Sequence, residues 1–116
     1  MHDLNKLRIW VKSIELTKKV YELTKTLPDD EKYGLISQIR RCSVSISSNI
    51  AEGAGRESVK EFKYFLSIAN GSSFELYTQL IIALELDYIK KKDFEIIEDN
   101  IDEIQKMNYN LQRKLH

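Results

Sequence analysis

Apolar residues recur along the chain at intervals of three and four, the period of one helix face, in four long stretches. In residues 3–27 the series Leu7, Trp10, Ile14, Thr17, Tyr21 and Thr24 marks one stripe, widened by Val11, Val20 and Leu27. Pro28 follows Leu27, and a residue before proline avoids the helical region, so the first helix is predicted to stop there. In residues 30–52, Leu35, Ile39, Cys42, Ile46 and Asn49 predict a second helix, with Gly53 continuing the step and Asp29 or Asp30 as the cap. Gly53 and Gly55 are expected to end it in the left-handed conformation. The third helix opens with Ser58-Val59-Lys60-Glu61, a capping box in which serine and glutamate each satisfy a free backbone N–H. Phe62, Phe65, Ala69, Ser72, Leu76, Leu80 and Ala83 carry it to residue 86. The fourth, capped by Asp93, runs through Phe94, Ile97, Ile101, Ile104, Asn108, Leu111 and Leu115, a heptad seam with one polar member. Acids in its first turns (Glu95, Glu98, Asp99) and bases in its last (Arg113, Lys114) suit the helix dipole.

No stretch sustains a period of two, and one proline with four glycines means few, long elements. The predicted fold is all-α: an antiparallel up-down-up-down four-helix bundle forming a single domain over residues 1–116. A chain of 13.6 kDa should expose about 6,500 Å² when folded, which leaves enough buried surface for a core without staples.

The third helix carries more apolar surface than one face can hold. Tyr64, Phe65, Leu66, Ile68, Phe74 and Tyr77 fall on several sides, and Leu80-Ile81-Ile82-Ala83-Leu84 is apolar almost all round. In a bundle this small each helix keeps a wet face, so the excess points to self-association; the plainer alternative is a thick core with a few exposed apolar residues. Small residues interrupt two helices. Ser43, Ser45, Ser47 and Ser48 read as close helix packing rather than a hydroxyl-lined site, since no histidine stands near to activate a serine. Gly71 costs about 1 kcal/mol in a helix interior, an expense most simply offset by a close helix crossing, or else by a kink. Asn49 is expected to be a paired core amide joining Glu52 and Arg56 in a helix-end network, and Cys42 a small core hydrophobe.

Candidate chemistry is sparse. The only histidines are His2 and His116, and Arg113–His116 is the only arginine–histidine pair at helical spacing. No Glu-x-x-His motif exists for a di-metal bundle, and one cysteine makes no disulfide framework or zinc site. No catalytic residue, metal ligand, cofactor or small-molecule substrate is expected. No apolar run is long enough for a membrane span and no signal peptide opens the chain, so a cytoplasmic protein is expected. Eighteen bases balance eighteen acids, which argues against a generally basic nucleic-acid module. The first 25 residues nevertheless hold six bases against three acids. The candidate phosphate-binding set is Arg8, Lys12, Lys18 and Lys19 on the first helix with Arg40 and Arg41 on the second, provided that they converge.

Residues 33–41 (Tyr-Gly-Leu-Ile-Ser-Gln-Ile-Arg-Arg) and 43–56 (Ser-Val-Ser-Ile-Ser-Ser-Asn-Ile-Ala-Glu-Gly-Ala-Gly-Arg) resemble the signature of the 23S rRNA intervening-sequence protein family. Leu7-Arg8-Ile9-Trp10, Leu27-Pro28, residues 62–69, Gly71-Ser72-Ser73-Phe74-Glu75-Leu76 and Leu86-Asp87-Tyr88-Ile89 extend the likeness over nearly the whole chain. The signature positions are Ser45, Asn49, Glu52, Gly53, Arg56, Gly71, Ser72 and Glu75. The resemblance implies a left-handed up-down bundle assembling as a ring-like homopentamer. It also implies RNA or a nucleic-acid-processing protein as a partner. The family includes proteins encoded within insertions of bacterial 23S rRNA genes and the accessory protein of diversity-generating retroelements, which binds nucleic acid and partners a reverse transcriptase. Those nucleic-acid-binding relatives are strongly basic, whereas this chain is neutral.

Overall fold

A computed structural model describes residues 3–116, so His2 lies outside the described residues. Four helices account for most of the chain: α1 (Arg8–Thr24), α2 (Leu35–Ala54), α3 (Val59–Glu85) and α4 (Lys91–Lys114). Short 3-10 turns at Leu4–Lys6 and Asp29–Glu31 precede α1 and α2, and no strand occurs among the described residues.

Each helix runs antiparallel to the next. On α1 and α2, Thr17 Oγ1 donates to Ser43 O at 3.2 Å, and Thr24, further along α1, meets Arg40, further back on α2. Across α2 and α3, Ser45 Oγ lies 2.9 Å from Ser72 Oγ, while Gly53 meets Phe62 and Phe65. Between α3 and α4, Gln105 reaches Ser73 at 2.9 Å and Asn108 reaches back to Leu66 O at 2.8 Å. Lys12 and Lys19 close the ring by reaching Glu103 and Asn100 on α4. The rod measures 44 × 24 × 21 Å and exposes 7337 Å², more than the about 6,500 Å² of a compact monomer of its mass.

The α3 stripe is buried as expected apart from half-buried Phe65. The α4 seam is buried from Phe94 to Asn108, whereas Leu111 and Leu115 are half-buried near its C-terminal end. On α1 the stripe is rotated from expectation. Ile9, Ser13, Leu16, Val20, Leu23 and Leu27 are buried, whereas Ile14 and Tyr21 are exposed. The larger aliphatics hold the centre, and Thr17 and Tyr21 instead flank α2. On α2, Ser43, Ser47 and Ile50 are inside where Cys42 and Asn49 were expected; the latter two are half-buried. Serine hydroxyls can turn inward because they bond their own helix: Ser43 Oγ donates to Arg40 O at 2.8 Å and Ser47 Oγ to Val44 O at 3.4 Å.

Several caps differ from the sequence reading. Asp29 and Asp30 belong to the 3-10 turn, and α2 begins after Gly34. Its first turn is instead held by Glu31, whose Oε1 accepts from Leu35 N at 3.2 Å. No glycine has positive φ: Gly53 is inside α2 and Gly55 follows it in right-handed helical geometry. Gly53 is required by packing, because a Cβ there would fall 2.8 Å from Phe65 Cβ. The left-handed stop occurs at Asp87 instead, with φ 61°. There Tyr88 N donates to Ala83 O at 2.9 Å and Asp87 N to Leu84 O at 3.0 Å, a Schellman end to α3. Ser58 caps α3 by accepting from Glu61 N at 3.1 Å, while the Glu61 carboxylate turns to Arg56. Lys90, not Asp93, occupies the cap position of α4, placing Asp93 in the first turn, where its charge still suits the dipole.

Candidate nucleic-acid interface and assembly face

The six candidate bases do not form one patch. Arg8, Lys12 and Lys19 lie along the α4 side of α1. Lys12 Nζ is 3.6 Å from Glu103 Oε1 and 3.7 Å from Glu15 Oε2, and Lys19 Nζ donates to Asn100 Oδ1 at 3.4 Å. Arg40 lies across α1 on its other flank. Its Nε donates to Thr24 Oγ1 at 2.8 Å, Nη2 donates to Tyr21 O at 3.4 Å, and the guanidinium covers the Tyr21 ring at 4.6 Å. It works as a clamp between α1 and α2. Lys18 lines the α1–α4 groove beside Lys19, near Asp93, whereas Arg41 is on α2; both are exposed and form no ion pair among the described residues.

The signature residues build the α2–α3 contact and the outer side of α3. Asn49 Nδ2 donates to Ser45 O at 2.8 Å and lies 3.0 Å from Ser45 Oγ, which in turn meets Ser72. The expected network is therefore split. Asn49 joins the serines, while Glu52 binds Arg56 at 2.9 Å and Arg56 covers the Phe65 ring at 4.9 Å. Cys42 Sγ lies 3.9 Å from exposed Glu75 Oε2. Burial pushes its thiol pKa up, a hydrogen bond from Gln79 opposes this, and the Glu75 charge adds to it, which favours the protonated thiol. Gln79 Oε1 is the one buried side-chain atom without a partner among the described residues.

Gly71 does not sit at a crossing: a Cβ there would meet nothing within 4 Å. It lies on an outward stripe of α3 that runs Tyr64, Ser67, Gly71, Phe74, Thr78, Ile82 and Glu85, all exposed. Tyr64 is 62% exposed, Phe74 58% and Ile82 44%, so α3 carries a second, uncovered apolar seam with a single charge at its end.

A polar cleft of about 390 Å³ between α3 and α4 had escaped the sequence reading. Its signal was available: Lys63 and Asn70 lie seven apart on α3, as Gln105 and Gln112 do on α4, so each pair flanks its helix's core seam. His116 lies beyond the end of α4 at Lys114, outside the helix that holds Arg113. No three His, Cys, Asp or Glu among the described residues could hold a metal ion, and no described helix is long and apolar enough to cross a membrane.

Comparison with curated proteins returns no match. A crystal structure at 1.70 Å of a protein of unknown function from the S23 ribosomal protein family of Bacteroides thetaiotaomicron shares the fold. It aligns with a TM-score of 0.84 and 27% identity, covering 91% of this chain and 96% of that one. The family model described as 23S rRNA-intervening sequence protein matches residues 5–110. With almost the whole bundle inside that match, the chain belongs to the 23S rRNA-intervening sequence protein family.

Proposed function

We propose that this protein is a non-enzymatic, self-assembling four-helix bundle, a homopentamer acting in the cytoplasm without a cofactor, that associates with RNA or a ribonucleoprotein. The outward seam of α3 carries the assembly reading. Tyr64, Phe74 and Ile82 are exposed in the protomer, and Gly71 between them costs about 1 kcal/mol with no compensating contact inside the chain. A second copy laid closely along this seam would cover the aromatics and use the missing side chain. The number five and the RNA association rest on the family resemblance.

A second reading is an assembled scaffold for proteins with no nucleic-acid role. The zero net charge and the engagement of Lys12 and Arg40 within the protomer favour it. Light scattering coupled to size-exclusion chromatography, run alone and with a 23S rRNA fragment, separates the two. A mass near five chains with co-eluting RNA is expected. A pentamer that ignores RNA would leave the scaffold, and a monomer would overturn the assembly.

A further inference from the structure

The polar cleft between α3 and α4 is lined by polar and basic side chains alone. Lys63 and Asn70 contribute from α3, and Gln105, Tyr109, Gln112 and Arg113 from α4. No carboxylate lines it, although acids equal bases over the chain. Lys63 and Arg113, like most bases of the chain, form no ion pair among the described residues; the paired ones are Lys12, Lys25, Arg56 and Lys106. Tyr109 is 63% exposed, and the Arg113 guanidinium lies over its ring at 5.6 Å.

The amides are poised rather than consumed. Buried Asn108 forms the floor: its Nδ2 donates to Leu66 O at 2.8 Å, and its Oδ1 accepts from Gln112 Nε2 at 2.7 Å. That bond fixes Gln112 and leaves its Oε1 without a protein partner among the described residues. Gln105 Nε2 is likewise fixed on Ser73 Oγ at 2.9 Å, which leaves its Oε1 without a protein partner among the described residues. The Asn70 side chain makes no hydrogen bond among the described residues.

We infer that this cleft binds one nucleotide unit of single-stranded nucleic acid. The ligand chemistry follows from the parts. Two unpaired cations suit a phosphate, an exposed tyrosine backed by arginine suits the face of a base, and held amide groups suit a base edge. The volume also suits one nucleotide better than a strand. The next concavity along the same groove contains Glu98, Asp99 and Asp102, whose charge repels a phosphate backbone. A strand entering the cleft must therefore leave towards the end of the bundle that carries the α3 N-terminus, and the footprint is short. As a site for RNA, the cleft rests on the RNA-association reading; as a site for a nucleotide, it stands independently.

The test is fluorescence anisotropy with a labelled ten-nucleotide single-stranded RNA in low salt, together with titrations of adenosine monophosphate and of inorganic phosphate. Tyr109→Ser is expected to weaken RNA binding about five- to a hundredfold, the range of one lost stacking contact. Arg113→Gln and Lys63→Gln should each lower the slope of log affinity against log salt by about 0.7. All three residues lie at the surface rim, and circular dichroism checks that the variants fold. The rival basic set is probed by the double variant R8E/R41E, which leaves the cleft residues intact. Adenosine monophosphate binding as tightly as RNA, and lost in Tyr109→Ser, would support the cleft while making the free nucleotide its source. RNA binding that survives all three cleft substitutions but fails in R8E/R41E would overturn the cleft and leave RNA association standing. Binding of inorganic phosphate alone, or of none of the three probes, would overturn the inference.

Discussion

At the scale of single residues, the glycines of α2 and α3 are used in opposite ways. Gly53 is buried against Phe62 and Phe65, and its missing Cβ lets α2 and α3 meet at the turn that joins them. Gly53→Ala puts a carbon 2.8 Å from Phe65 Cβ and 3.1 Å from Phe62 O, neither of them a flexible side-chain end. It should destabilise the fold by about 1–3 kcal/mol, the usual cost of overpacking, as a lower midpoint in urea denaturation. An unchanged midpoint would show that the helices separate freely there. Whether a helical glycine is wanted for packing or for an outer face was not legible in the sequence. Both stand on three-and-four spacings, and only the neighbour across the gap distinguishes them.

Among the elements, the corner between α3 and α4 carries the fold's one left-handed residue among those described, and it is not glycine. Asp87 at φ 61° bears a steric cost that glycine lacks. Asp87→Gly should therefore raise stability by about 1 kcal/mol, again read from the denaturation midpoint. The next residue ties this corner to the α1–α2 corner. Tyr88 Oη donates to Glu31 Oε2 at 3.2 Å, and the same carboxylate holds the first turn of α2. The hydrogen bond to Glu31 chiefly, then burial and the nearby carboxylates, push the Tyr88 pKa above its ordinary value. Because the folded state holds this proton more tightly, the stabilisation is whole below pH about 10 and is lost as pH rises through the raised folded value. Thermal melts between pH 9 and 11.5 should show an alkaline fall that is smaller in Tyr88→Phe. Equal falls in both proteins would remove Tyr88 from the account. Boundaries at this scale were partly legible. Leu27-Pro28 and the Ser58 cap act as their residue types require, whereas the start of α2 depends on Glu31, a contact from outside the helix that no local pattern announces.

For the whole molecule, the uncovered seam of α3 makes the most direct prediction. Phe74→Asp and Ile82→Lys lie on the exposed side of a helix whose buried side is unaltered, so each should lower the assembled mass in light scattering without loss of helicity. Gly71→Ala should leave the protomer fold at least as stable, since alanine favours a helix by about 1 kcal/mol, yet weaken assembly. Assembly unchanged by all three would place the contact between copies elsewhere.

The sequence by itself determined the helical class, the number of helices, the core of α3 and α4 and the family. These follow from period, from punctuation and from a contiguous signature, all properties of neighbours along the chain. Tertiary structure decided the rotation of the α1 stripe, the inward turn of Ser43 and Ser47, the burial of Gly53 and the exposure of Gly71. It also decided that Lys12 and Arg40 are engaged by other helices while Lys63 and Arg113 are left free beside Tyr109. A helix face offers several plausible stripes, and a base in sequence has no partner yet. Which stripe is dry, and which charge is unpaired, depends on residues tens of positions away that only folding brings alongside.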